Sequence, residues 1–159
     1  RSVLIVFEKK FQDFGLNFEI QETQNSPSKI QSEFNDEINN IDTTLFNYYQ
    51  KISTQFKSAY FLLNVFSDDK QQTIGYARVV EDDYYWNLYE IFINKNYREM
   101  GLGTRLFEYI SFVSSKNNFQ IRTYALPSDR QAKNFYESNA ITAKLLIMEK
   151  KREHNRYRP

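Results

Sequence analysis

The chain has 159 residues, a formal net charge of +1, 41% hydrophobic and 17% aromatic residues, which suits one domain with a substantial core. Its balanced charge gives no general drive toward nucleic acid or membrane, so neither is expected as a partner. Cysteine is absent and the single histidine is His154, which excludes disulfides, thiolate or histidine-cluster metal sites, and a cysteine nucleophile; no metal is expected.

In chain order, residues 3–7 form an apolar run too short for a membrane span or a signal-peptide core. They read as a first strand, with a cytoplasmic location as the default. Residues 16–20 alternate and make a second strand, or a continuation past Gly15. Ser26 and Pro27 then announce a helix, serine as cap and proline in the first position. Ile30, Phe34, Ile38, Ile41, Leu45, Tyr48, Ile52 and Phe56 keep helical spacing, and Asn39, Asn40 and Asp42 break the stretch in two, with Asp42 capping the second helix. Residues 59–66, 73–80 and 86–93 read as three strands joined by short links, hence an antiparallel meander. A helix follows on the stripe Leu102, Leu106, Ile110 and Val113. Residues 120–125 are a strand stopped by Pro127; a capping box at residues 128–131 opens a short helix over 129–138, and residues 143–149 are a final strand. No repeat or linker interrupts this order, so a single α/β domain is expected over residues 1–159.

The most informative stretch joins the third meander strand to its helix: Arg98-Glu99-Met100-Gly101-Leu102-Gly103-Thr104. Of the chain's four glycines, two lie here, one residue apart. Glycine lets backbone N–H groups close on an anion, the helix N-terminus adds a favourable dipole, and Arg98 adds positive charge. This is a phosphate cradle. It is not a Walker loop, since no Gly-Lys-Ser/Thr follows, nor a dinucleotide fingerprint, since a third glycine is missing. A second motif, Ala132-Lys-Asn-Phe135-Tyr136-Glu137, lies roughly 30 residues downstream.

The Arg-x-x-Gly-x-Gly turn and the Phe-Tyr-Glu motif, in this order and with these elements between them, resemble the GNAT superfamily of N-acetyltransferases. The resemblance covers most of residues 59–149. It implies a mixed, mostly antiparallel sheet flanked by helices, with one strand pair splayed to admit acyl-CoA. It also implies acetyl-CoA as co-substrate: pantetheine on the backbone of Ile91, Phe92 and Ile93, pyrophosphate on the amides of Glu99, Met100, Gly101, Leu102, Gly103 and Thr104, and Asp129 close by. The acceptor would be a primary amine on a small molecule or a protein, with the two N-terminal helices bordering its site. Three places depart from the family's pattern. Glu99 stands where glycine is common, Asp129 where asparagine is common, and Ala140-Ile141 where Gly-Phe is usual.

Lacking cysteine, such an enzyme transfers the acyl group directly. Tyr136 occupies the family's usual place for a phenol beside the thioester sulfur, where a group of unperturbed pKa about 10 can protonate a thiolate. The alternative is that it simply packs beside Phe135. Glu90 is the candidate base, a carboxylate on an apolar strand whose pKa desolvation would raise; pairing with a cation is its alternative. Glu81, Asp82 and Asp83 either draw in a cationic acceptor or form a solvated turn. Residues 142–159 carry six Lys/Arg against two Asp/Glu, a basic tail for RNA or an acidic partner, or else a solvated terminus. A second functional reading keeps the fold as a binding or regulatory module without turnover. Oligomeric state stays open, a homodimer being the common arrangement.

Overall fold

A computed structural model of the chain describes residues 9–53 and 57–150. The expected strand at residues 3–7, Phe56, His154 and most of the basic tail lie outside the described residues, as do the side chains of Leu45, Tyr48 and Ile52. Six strands form one sheet in sequence order: β1 (Lys10–Asp13), β2 (Leu16–Thr23), β3 (Ala59–Ser67), β4 (Lys70–Glu81), β5 (Tyr85–Ile93) and β6 (Gln120–Thr123). All neighbours are antiparallel except β5 and β6, which are parallel. Among the described residues no helix is long and apolar enough to cross a membrane.

Helices α1 (Ser28–Ile41) and α2 (Thr43–Ser53) link β2 to β3, α3 (Leu102–Lys116) links β5 to β6, and α4 (Arg130–Ser138) follows β6. The sheet is apolar on both faces. On one, Ile30, Phe34 and Ile38 of α1 meet Tyr60, Tyr76 and Phe92. On the other, Leu102, Leu106, Phe107 and Ile110 of α3, with Tyr136 of α4, meet Phe61, Leu63, Val79, Trp86 and Leu88. Three layers result, with β5 covered by α1 on one face and by α3 on the other.

Four expectations are corrected. Residues 143–149 are not a strand. A strand exists only through its ladder partner, and here none of the described segments pairs with them; Leu145, Leu146, Ile147 and Met148 are 63–82% exposed. The strand expected over residues 120–125 ends at Thr123. Helix α1 starts after Pro27, not after a Ser26 cap, and the α4 cap is Asp129, whose carboxylate accepts from the Ala132 amide at 3.0 Å, not Ser128. Finally, residues 10–13 form an additional strand, turned into β2 by Phe14 and Gly15, both at positive φ (53° and 72°).

Candidate functional site

The site begins where a ladder stops. Parallel pairing of β5 with β6 runs from Tyr85 opposite Gln120 to Leu88 opposite Thr123 and goes no further. From Glu90 to Ile93 the strand keeps its β4 partner but has none on the β6 side among the described residues. A bulge at the same point sets Arg78 opposite Glu90 and Val79 opposite Leu88, leaving Tyr89 unopposed. The extra residue shifts the strand's phase. Trp86 and Leu88, then Ile91 and Ile93, all face α3, while Glu90 and Phe92 turn toward α1.

The split opens into a cavity of about 320 Å³. Of the residues singled out in the sequence, Ile91, Phe92, Ile93, Arg98, Glu99, Gly101, Leu102, Gly103, Thr104, Asp129 and Tyr136 line it; the side chains of Met100 and Glu90 do not. Phe34, Glu37 and Ile38 of α1, together with Tyr89, Tyr124 and Phe135, are among the other residues of its walls. Sequence reasoning missed these six as site residues, although it assigned the pocket border to the N-terminal helices.

Between β5 and α3 the backbone makes two left-handed steps, Glu99 at φ 62° and Gly101 at φ 73°. Glu99 thus holds a conformation that glycine adopts freely, which explains glycine at this place in the resembling pattern. Among the described residues, the amides of residues 99–104 have no hydrogen-bond acceptor. Six free donors at a helix N-terminus are an arrangement able to receive an anion. Gly103 lets α3 approach α4 closely, since a Cβ there would stand 3.3 Å from the Phe135 ring, a tight contact, and 3.7 Å from Ile93 Cγ1, an ordinary one.

Arg98 serves differently from expectation. Its Nε donates to the Ile93 carbonyl at 2.8 Å, its Nη2 meets Glu37 Oε2 at 2.9 Å, and its guanidinium lies 5.0 Å from the Phe92 ring centroid. It brackets the end of β5 against α1, its guanidinium already engaged by these contacts. Tyr136 is 6% exposed and packs against Phe107 and Phe135, yet lines the cavity. Among the described residues its hydroxyl takes no hydrogen-bond partner. Burial, then the nearby Asp129 charge, pushes its pKa up, so the phenol stays protonated across the neutral range.

The sequence model of the acetyltransferase (GNAT) domain matches residues 59–139, just over half of the chain. The chain belongs to the GNAT acetyltransferase family. Solved structures agree in fold. A proposed acetyl transferase of Pyrococcus furiosus is 17% identical, with TM-score 0.62 over 84% of this chain and 99% of that one. A proposed acetyltransferase of Clostridium difficile 630 is 22% identical, with TM-score 0.58 over 86% and 99%. The aminoglycoside N-acetyltransferase AAC(6')-Iy in complex with CoA is 12% identical, with TM-score 0.55 over 89% and 99%. No curated protein sequence matches the chain.

Within this GNAT domain Glu90 sits in a closed network. Its side chain is 1% exposed and accepts from Arg78 Nη1 at 3.0 Å, from the Tyr76 hydroxyl, and from Gln31 Nε2 at 3.2 Å. Three donors on one buried carboxylate tie α1 to the middle of the sheet. The acidic turn is structural as well: Glu81 accepts from the Trp86 indole at 3.1 Å, and Asp82 accepts from the amides of Tyr84 and Tyr85. Asn87 Nδ2 also donates to Asp82, at 2.9 Å, and this bond leads the causes that hold the Asp82 carboxyl below its ordinary pKa.

Proposed function

We propose that this GNAT domain transfers an acetyl group from acetyl-CoA directly to a primary amine. The observation that carries this reading is the split beside β5, with six unpartnered amides at one end and, on its wall, the Tyr136 hydroxyl, which takes no hydrogen-bond partner among the described residues. The fit to CoA is good in kind: an anion cradle, a strand edge free to pair with an amide-bearing arm, and walls rich in apolar side chains. A relative of the same fold was solved with CoA bound, which supports the choice of donor. The amides of residues 99–104, Met100 among them, would hold the pyrophosphate, and Ile91 and Ile93 would pair with pantetheine. The thioester supplies an acyl carbon already activated toward attack.

The protein's share is then positioning and protons. Tyr136 holds its proton at the phenol oxygen and offers it to the sulfur as charge develops there. Because its pKa is raised, hydrogen-bond stabilisation outweighs complete proton release. Glu90 already accepts from three donors and lies outside the cavity lining, which suits a positioning residue that seats α1, and the acceptor amine loses its proton to water in the cavity. Tyr136→Phe keeps the packing and removes the donor. Thiol release from acetyl-CoA, measured with a panel of polyamine, aminoglycoside and peptide amines, should fall at least tenfold, with acetyl-CoA affinity unchanged. An unchanged rate would remove Tyr136 from the mechanism.

The exposed Glu99 carboxylate, set in the phosphate cradle, favours a second reading: a binding or regulatory module with weak turnover. Glu99→Gly separates the two. Glycine relieves a left-handed conformation that costs about 1–2 kcal/mol and loses about 0.5–1 kcal/mol through its own unfolded freedom. Stability should therefore hold or rise slightly, while acetyl-CoA binding tightens about fivefold as one like charge leaves the phosphates. Tighter binding without any thiol release on the amine panel would favour the module.

A further inference from the structure

Two tyrosines close the narrow end of the split. They are the residues immediately after the last paired couple, Leu88 and Thr123, so they stand at the point where β5 and β6 part. Their rings stack, with centroids 4.6 Å apart and planes 22° from parallel. Both line the cavity. Tyr124 is held firmly: its hydroxyl donates to Asn87 Oδ1 at 2.8 Å, and Asn87 in turn donates to the Val80 carbonyl at 3.1 Å. Tyr89 is 8% exposed, and the bulge sets it at the strand's change of phase.

The cavity has a direction. The amide cradle follows the C-terminal end of β5 and the stacked rings sit four residues back along it, a span of about 13 Å at roughly 3.3 Å per residue. An extended thioester anchored by its phosphates at the cradle therefore brings its acyl end toward the rings. We propose that the stacked Tyr89 and Tyr124 side chains are the end wall of the donor channel and restrict it to short acyl groups, acetyl ahead of longer chains. This rests on the acyl-CoA reading above and adds which donor the site takes. The stacked faces, one of them held by the Asn87 bond, would have to part to admit additional methylenes, and packed interiors resist such insertion.

Titration calorimetry with free CoA, acetyl-CoA and butyryl-CoA tests this without relying on turnover. The unaltered protein should bind butyryl-CoA at least about tenfold more weakly than acetyl-CoA, the scale that a methylene or two commands in a shaped pocket. Tyr124→Ala should bring the two within about twofold of one another, whereas Tyr124→Phe, which keeps the ring and drops the Asn87 bond, should discriminate as before. Should Tyr124→Ala fail to fold, Tyr124→Leu shortens the wall with more of the packing kept, and the comparison in the unaltered protein needs no variant at all. Equal binding of both thioesters by the unaltered protein, or full discrimination in the shortened variants, overturns the end wall while leaving the donor reading standing. Absence of any binding by free CoA overturns the donor reading and the wall with it.

Discussion

Arg78→Met should lower the unfolding free energy by about 3–5 kcal/mol, a fall in Tm of about 10–15 °C for a domain of this size. Arg78 and Glu90 are 6% and 1% exposed in their side chains and meet at 3.0 Å. Removing the cation leaves a buried carboxylate between α1 and the sheet, with the neutral Tyr76 and Gln31 donors facing its charge among the described residues. The loss comes from that stranded charge more than from the pair's own attraction. The double variant Arg78→Met, Glu90→Gln should accordingly recover most of it, because a neutral amide still accepts from Tyr76. Chemical denaturation of the two variants reads the difference directly. A single variant within about 1 kcal/mol of the parent would show that water reaches Glu90, and would return it to candidacy as the base.

The second large effect belongs to the cradle. Gly103→Val should weaken acetyl-CoA binding by about a hundredfold, or roughly 2.7 kcal/mol. Glycine at this place lets the first turn of α3 come against Phe135 and Ile93, where even a Cβ would stand at 3.3 Å and 3.7 Å. Valine adds two methyl groups to that Cβ, which must displace the Phe135 ring or enter the cavity over the free amides. Overpacking of this kind costs about 1–3 kcal/mol of stability, so the variant should still fold. Retained affinity in Gly103→Val would mean that the donor does not approach the α3 amides.

Much of this was legible in the sequence, and the reasons are specific. The meander of β3, β4 and β5 announced itself because each strand is apolar on both faces, as a sheet covered by helices on two sides requires. The strand-to-helix turn at residues 98–104 was legible because glycine and a helix stripe meet there, and the short helix carrying Tyr136 because capping residues precede the second motif, which contains it. Strand β1 was missed: of Lys10, Phe11, Gln12 and Asp13, Phe11 alone is buried, and its signal was the Phe14-Gly15 turn. Residues 143–149 misled in the opposite direction, since apolar composition gives strand preference but not a partner. Glu90, Tyr89 and Tyr124 depend on a bulge and on where a parallel ladder ends. Both are properties of register between distant segments, which no local pattern encodes. Arg98 illustrates the same limit, because its partner Glu37 comes from a helix 61 residues earlier.

The most direct test of the central claim is thermal unfolding with and without saturating acetyl-CoA. A ligand at about a hundred times its dissociation constant stabilises the folded state by about 2.7 kcal/mol, which raises Tm by about 5–10 °C in a domain near this size. The acyl-CoA cradle predicts that rise in the parent protein and little of it in Gly103→Val at the same concentration. No rise in the parent at millimolar acetyl-CoA would contradict it.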